Sequence, residues 1–184
     1  TLVLISLGFT LFFDISRQRK DMDKLISGTA SYIAAIPDVA AMLENGYPDS
    51  TVTRDLDSLS LNIPDINVIL ISDKNGLRFY HTNRLKTGDS YVAGDEDAIL
   101  AGSDPYITTG YGTHGMQRRA FHAIKNSGGE IVGFVMVSLF HRYSVSPAPQ
   151  SAVLYIIIFL IMMIVSHFPD AHNVLPAARL PVGI

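Results

Sequence analysis

Ile66-Asn67-Val68-Ile69-Leu70-Ile71-Ser72-Asp73-Lys74-Asn75-Gly76-Leu77-Arg78-Phe79-Tyr80-His81 turns back on itself. Ile66 to Ile71 is rich in β-branched residues and reads as a strand. Asp73-Lys74-Asn75-Gly76 carries the Asn-Gly pair that favours a tight hairpin, and Leu77 to His81 is the return strand. The same chemistry makes Asp73 to Gly76 a turn rather than a calcium loop. Toward the C-terminus, Gly88 and Gly94 punctuate a loop, Asp95 to Leu100 reads as a short helix and Tyr106 to Thr109 as a strand. A flexible glycine loop is expected from Gly110 through Gly112 and Thr113 to Gly115, around His114. Met116 to Lys125 is a strand, Asn126 to Gly129 a turn, and Ile131 to Phe140 the last strand. Toward the N-terminus the period changes. Asp14 to Ile36 places Ile15, Met22, Leu25, Ile26, Ile33 and Ile36 at roughly helical spacing, with charges between them. Pro37 ends or kinks that helix. Short helices follow at Asp38 to Leu43 and Thr51 to Leu61, separated by Asn45-Gly46 and Pro48-Asp49-Ser50. The expected fold class is α+β: a long N-terminal helix packed on a five-stranded antiparallel sheet, with helices on one side.

The 184 residues carry a formal net charge of −3, which argues against a generic nucleic-acid binder. With no cysteine, a disulfide scaffold and cysteine-ligated metal sites are excluded. The six histidines show no close ligand spacing on a helix, so no metal and no cofactor is expected. Mean hydropathy is +0.26 with 48% hydrophobic residues, and the apolar residues gather at the ends. TLVLISLGFTLFF fills Thr1 to Phe13, and AVLYIIIFLIMMIV fills Ala152 to Val165. A helix needs about 20 residues to cross a bilayer, so the second run is marginal in length. It is apolar on every face, however, unlike an amphipathic core helix. Two membrane segments are therefore expected: residues 1–13 as the end of a truncated first span, and 149–168 as the second. Residues 14–148 form the domain between them, and 169–184 a short tail. Arg17, Arg19, Lys20 and Lys24 follow the first run and by themselves favour a cytoplasmic loop, a rule that weakens for long loops.

Several spaced elements together resemble the extracytoplasmic PAS-like (PDC/Cache-type) sensor domains of citrate- and dicarboxylate-sensing two-component histidine kinases. The family pattern of Arg, two residues and His matches Arg78 and His81. The aromatic followed by Gly-Asp-Asp/Glu matches Tyr91 and Gly94-Asp95-Glu96. A glycine-containing loop, then Arg, a spacer and a second pocket residue match Gly112 to Gly115, Arg119, Ala120 and Phe121. The following turn and Gly-x-Val strand match Asn126 to Gly129 and Gly133 to Val137. The resemblance implies an inner-membrane, multi-pass protein with its sensor domain facing outward, a homodimer through the long helix and the spans, and a small carboxylate as ligand. It implies Arg78, His81, Tyr91, Gly112, Thr113, Arg119 and Phe121 as ligand-binding residues. It also bears on ligand choice: citrate sensors of the family tend to carry Lys at the place of Phe121 and four-carbon dicarboxylate sensors Phe, which favours malate, fumarate or succinate over citrate. The sequence departs from the family after the second span, where HFPDAHNVLPAARLPVGI leaves no room for a kinase core. Truncation or a disrupted frame is the expected cause, and no catalytic residue is expected in this chain.

The residues make chemical sense in that role. Arg binds a carboxylate through two parallel hydrogen bonds, and His81 could add a donor or, if protonated, a third charge. Arg119 and Phe121, two apart, share a face of a regular strand. Arg78 and His81, three apart, would not, and converge only if the strand ends or bulges near Tyr80. Bland readings stand beside these: Tyr91 as a core plug, His114 and His122 as surface or satisfied histidines, Arg118 as a solvated residue facing away from Arg119, and Asp95, Glu96 and Asp97 as the first turn of a helix. A chemoreceptor or other membrane signalling sensor is the alternative. An unrelated membrane enzyme finds no support, since neither a Gly-x-Ser-x-Gly elbow nor His-Glu-x-x-His occurs.

Overall fold

The computed structural model describes residues 2–91, 94–112, 115–140 and 150–167. The chain divides into two compact units, residues 16–146 and residues 1–15 with 147–184. Helix α1 (Leu2–Ala34) begins in the second of these and runs into the first.

Within residues 16–146, α1 buries Ile26, Ala30 and Ile33, a spacing of four and three that lines one helical stripe. The chain breaks at Ile36, and Pro37 opens α2 (Pro37–Asn45) at the position where its missing N–H costs nothing. Gly46, at φ 78°, closes α2. Helix α3 (Ser50–Asn62) is capped by Asp49, whose carboxylate accepts from the Thr51 and Val52 N–H groups. The strands are β1 (Val68–Asp73), β2 (Arg78–His81), β3 (Tyr106–Gly112), β4 (Gly115–Lys125) and β5 (Ile131–Phe140), with a 3-10 turn at Arg84–Lys86 and a one-turn helix α4 (Asp97–Leu100) between β2 and β3. They form one five-stranded antiparallel sheet in the order β2-β1-β5-β4-β3. The β1–β2 turn is held by the Asp73 carboxylate, which accepts from the Asn75 and Leu77 N–H groups at 2.9 and 2.8 Å.

Alternation along the strands gives the sheet two different faces. Ile69, Ile71, Tyr80, Ala120, Ile124, Val135, Val137 and Leu139 meet α1, α2 and α3 in the larger core. Val68, Leu70, Phe121, Ala123, Phe134 and Met136 point the other way and pack with Tyr91 and Ile99. Arg118 does face away from Arg119, but it is not simply solvated: it forks onto Asp23 of α1 at 2.7 and 2.8 Å and so ties α1 to β4. The expected flexible loop at Gly110 to Gly115 is shorter than its glycines suggest. Gly110 and Gly112 belong to β3, and cross-strand pairing persists to Gly112 and Gly115. Thr113 and His114 lie outside the described residues.

In the other unit, α5 (Gln150–His167) has 18 residues, about 27 Å of helix against a hydrocarbon core of about 30 Å. Among the described residues no single helix is long and apolar enough to cross a membrane. A bent pair, Gly8–Ala34 with Pro37–Asn45 at 62°, reaches the required length and composition. Ile33, Val39, Met42 and Leu43 of that pair are committed to the larger core, however.

Candidate functional site

The register of β2 holds the first half of the site. Ile71 pairs with Tyr80 and Ser72 with Arg78, leaving Phe79 as an extra, unpaired residue. This β-bulge sends Phe79 and Tyr80 together into the larger core. Arg78 and His81, which a regular strand would split, both reach a cavity on the opposite face of the sheet. The chain after the 3-10 turn then runs along β2 and covers its edge. Arg78 N–H donates to Asp89 O at 3.1 Å, Gly88 N–H to Arg78 O at 2.9 Å and Tyr91 N–H to Gly76 O at 2.7 Å. Tyr91 is thereby brought beside Arg78, whose guanidinium lies 5.6 Å from the ring centre.

His81 is buried and its Nδ1 accepts from the Asn83 N–H at 2.8 Å. Burial, then the charges of Arg78 and Lys86, lower its pKa from 6.5 to about 4. The ring is therefore neutral at pH 7 and, with Nδ1 accepting, carries its proton on Nε2 as a donor.

Arg119 on β4 supplies the second half. Its Nη1 donates to Asp95 at 2.7 Å and its Nη2 to the Tyr111 carbonyl at 2.7 Å. The other oxygen of Asp95 accepts from the Tyr91 hydroxyl at 2.9 Å. Burial and the Asp95 charge push the Tyr91 phenol upward, so it stays protonated. Gln117, two residues before Arg119 on the same strand face, is also buried in the wall. Gly112 fits opposite it because a Cβ there would lie 2.5 Å from the Gln117 amide oxygen.

The cavity measures about 620 Å³, within the range of small-molecule sites. Its lining includes Arg78, His81, Tyr91, Gly112 and Arg119, together with Lys86, Asn83, Thr82, Tyr111 and Gln117. Among the described residues the lining holds three full cations, Arg78, Lys86 and Arg119, and no carboxylate. The Nε groups of both arginines are buried without an acceptor. An unpaired buried donor is costly, about 1–3 kcal/mol.

One of the expected site residues stands apart from the cavity. Phe121 shares the face of Arg119 but is fully buried and is not part of the cavity lining. Tyr91, Tyr106 and Phe134 pack around its ring at 6.4, 6.1 and 6.0 Å between centroids, sealing it under the Tyr91 segment. Thr113 lies outside the described residues. Asp95 is not in a helical turn, because α4 starts only at Asp97; its carboxylate is free to turn onto Arg119. Gln117 was findable from the period-two rule, as a partner of Arg119. Lys86 and Tyr111 carry no such signal: one sits in an unforeseen 3-10 turn, and the other enters through its backbone carbonyl.

No family model matches the chain. Sensor histidine kinase DpiB of Escherichia coli (strain K12) is 29% identical over 112 residues, 59% of this chain. The match spans only 20% of that protein's length. The E. coli DcuS sensor domain superposes with a TM-score of 0.62 at 18% identity, covering 68% of this chain and 93% of that one. The sensor domain of the Vibrio cholerae histidine kinase DctB gives 0.66 at 12% identity, covering 77% and 57%. The fold is that of a PAS-like sensor domain. Sensors outside the kinases share it: the ligand-binding domain of the Campylobacter jejuni chemoreceptor Tlp3, in complex with 4-methylisoleucine, gives 0.56 at 16% identity over 78% of this chain and 60% of that one. In the present chain the sheet face remote from the long helix carries the cavity.

Proposed function

We propose that the chain is the outward-facing sensor region of a two-component histidine kinase and that it binds a small di- or tricarboxylate. One observation supports this most: a cavity with three lining cations, Arg78, Lys86 and Arg119, and among the described residues no lining carboxylate. Arg78 and Arg119 approach it from different strands and suit carboxylate groups through charge-assisted hydrogen bonds. Neutral His81 and Gln117 add donors. Malate, fumarate and succinate are favoured by the identity of residue 121, although its buried place means that any effect would reach the ligand through Tyr91. Residues 1–13 and 149–168 serve as membrane segments. The latter reading rests on apolar side chains exposed around α5, among them Leu154, Ile157, Ile161 and Ile164 at 57, 48, 54 and 60%. Homodimerisation through α1, and kinase chemistry in segments other than the sensor, complete this reading. Ligand closure between β2 and β4 would act on β5, which precedes α5 in sequence, by shifting a two-state equilibrium.

The second reading, a chemoreceptor sensor, is favoured by the likeness to Tlp3. An amino-acid ligand carries an ammonium group, which needs acceptors of negative charge, and the described lining has none. Thermal unfolding of the chain in detergent micelles with citrate, malate, fumarate, succinate and isoleucine separates the two. A carboxylate at 100 times its Kd is expected to raise Tm by roughly 10 °C. Stabilisation by isoleucine alone would reject the carboxylate reading.

A further inference from the structure

We infer that Lys86 is a third cationic anchor, seating a second carboxylate group of the ligand; the inference rests on the carboxylate reading above. The 3-10 turn that carries it is held at both ends. The Asn83 side chain accepts from the Leu85 N–H at 3.1 Å, and the Thr87 N–H closes onto Arg84 O at 3.1 Å. The neighbouring Gly88 N–H donates to the carbonyl of Arg78 itself at 2.9 Å, which ties the turn to the backbone of the first arginine.

Three consecutive side chains leave this turn in three directions. Arg84 binds Asp57 and lies 5.1 Å from the Tyr80 ring centre. Leu85 is 89% exposed. Lys86 is half-buried and lines the cavity. The three lining cations also differ in how they are compensated. Arg119 is bound to Asp95 at 2.7 Å, and Arg78 faces Asp89 at 4.0 Å. Lys86 has no ion pair among the described residues. It is therefore the cation whose charge a ligand can most fully satisfy. One carboxylate group engages an arginine fork, while a second group gains from a separate point charge with three donors on a flexible stem. The ammonium is close enough to His81 to help hold that ring neutral. A ligand whose single carboxylate is held by an arginine has no second anionic group for it.

The experiment is a calorimetric titration of the full chain, wild type, Lys86→Met and Lys86→Arg, with succinate and with monomethyl succinate, which keeps the carbon skeleton but has one carboxylate. Lys86→Met is expected to weaken succinate about ten- to hundredfold and to leave monomethyl succinate within about twofold. Lys86→Arg is expected to retain most of the succinate affinity. Unchanged succinate binding in Lys86→Met overturns the inference. So does an equal loss for both ligands, which would mean a general field rather than a contact with the second carboxylate. A wild-type chain that binds none of succinate, malate, fumarate and citrate removes the carboxylate reading itself, and the inference with it. Unliganded Tm values of the three chains verify that folding is not the cause of a loss.

Discussion

His81 is held neutral by burial and by two cations, and this has a consequence for stability. The unfolded chain titrates near 6.5 and the folded one near 4, so between these values the unfolded state binds more protons. This contribution is fully present above pH 6.5, is lost as pH falls, and is gone below 4, at most about 3 kcal/mol. Urea unfolding at pH 7.5, 5.5 and 4.0 is expected to show that loss in the wild type and a shallower one in His81→Gln. Parallel pH profiles for the two would refute the assignment. Arg78 and Arg119 were legible as candidate carboxylate ligands because guanidinium chemistry and motif spacing agree on them. What each is paired with was not legible. The Asp95 partner of Arg119 lies 24 positions upstream, and only the folded chain brings the two together.

Among the elements, long periodic segments were readable and irregular ones were not. The stripe of Ile26 and Ile33, the Asn-Gly hairpin and the last two strands all follow from period and turn chemistry. Nothing local separates a bulged β2 from a regular one; burying both Phe79 and Tyr80 in the larger core is what selects the bulge. The glycine-rich β3–β4 connection misled in the opposite sense, because pairing across the hairpin overrides the freedom of its glycines. Gly133 shows how tightly the central strands are packed beneath α2. A Cβ there would overlap the Ser72 carbonyl oxygen and come within 2.8 Å of Leu43 Cδ1. Gly133→Ala is expected to destabilise the domain by about 3 kcal/mol, read as a lowered urea midpoint. A change below about 0.5 kcal/mol would show that β1 and β5 separate more freely than the geometry implies.

On the scale of the whole molecule, the apolar ends and the unit of residues 16–146 are different kinds of sequence. Positive mean hydropathy comes from the terminal runs, while the charged residues concentrate in the unit of residues 16–146. In that unit the sheet divides its labour: one face buries three helices, and the other keeps an open cavity with its arginines facing inward. The central claim is that arginines from β2 and β4 hold one carboxylate ligand together. Calorimetry of the full chain with citrate, malate, fumarate and succinate, in wild type, Arg78→Ala, Arg119→Lys and the double variant, tests it most directly. Arg119→Lys keeps a charge beside Asp95, so that carboxylate is not left unpaired. The account predicts at least one carboxylate bound below about 1 mM by the wild type, a loss of about tenfold or more in each single variant, and no measurable binding in the double variant. Wild-type affinity in both single variants, or no carboxylate bound below about 1 mM by the wild type, would contradict it.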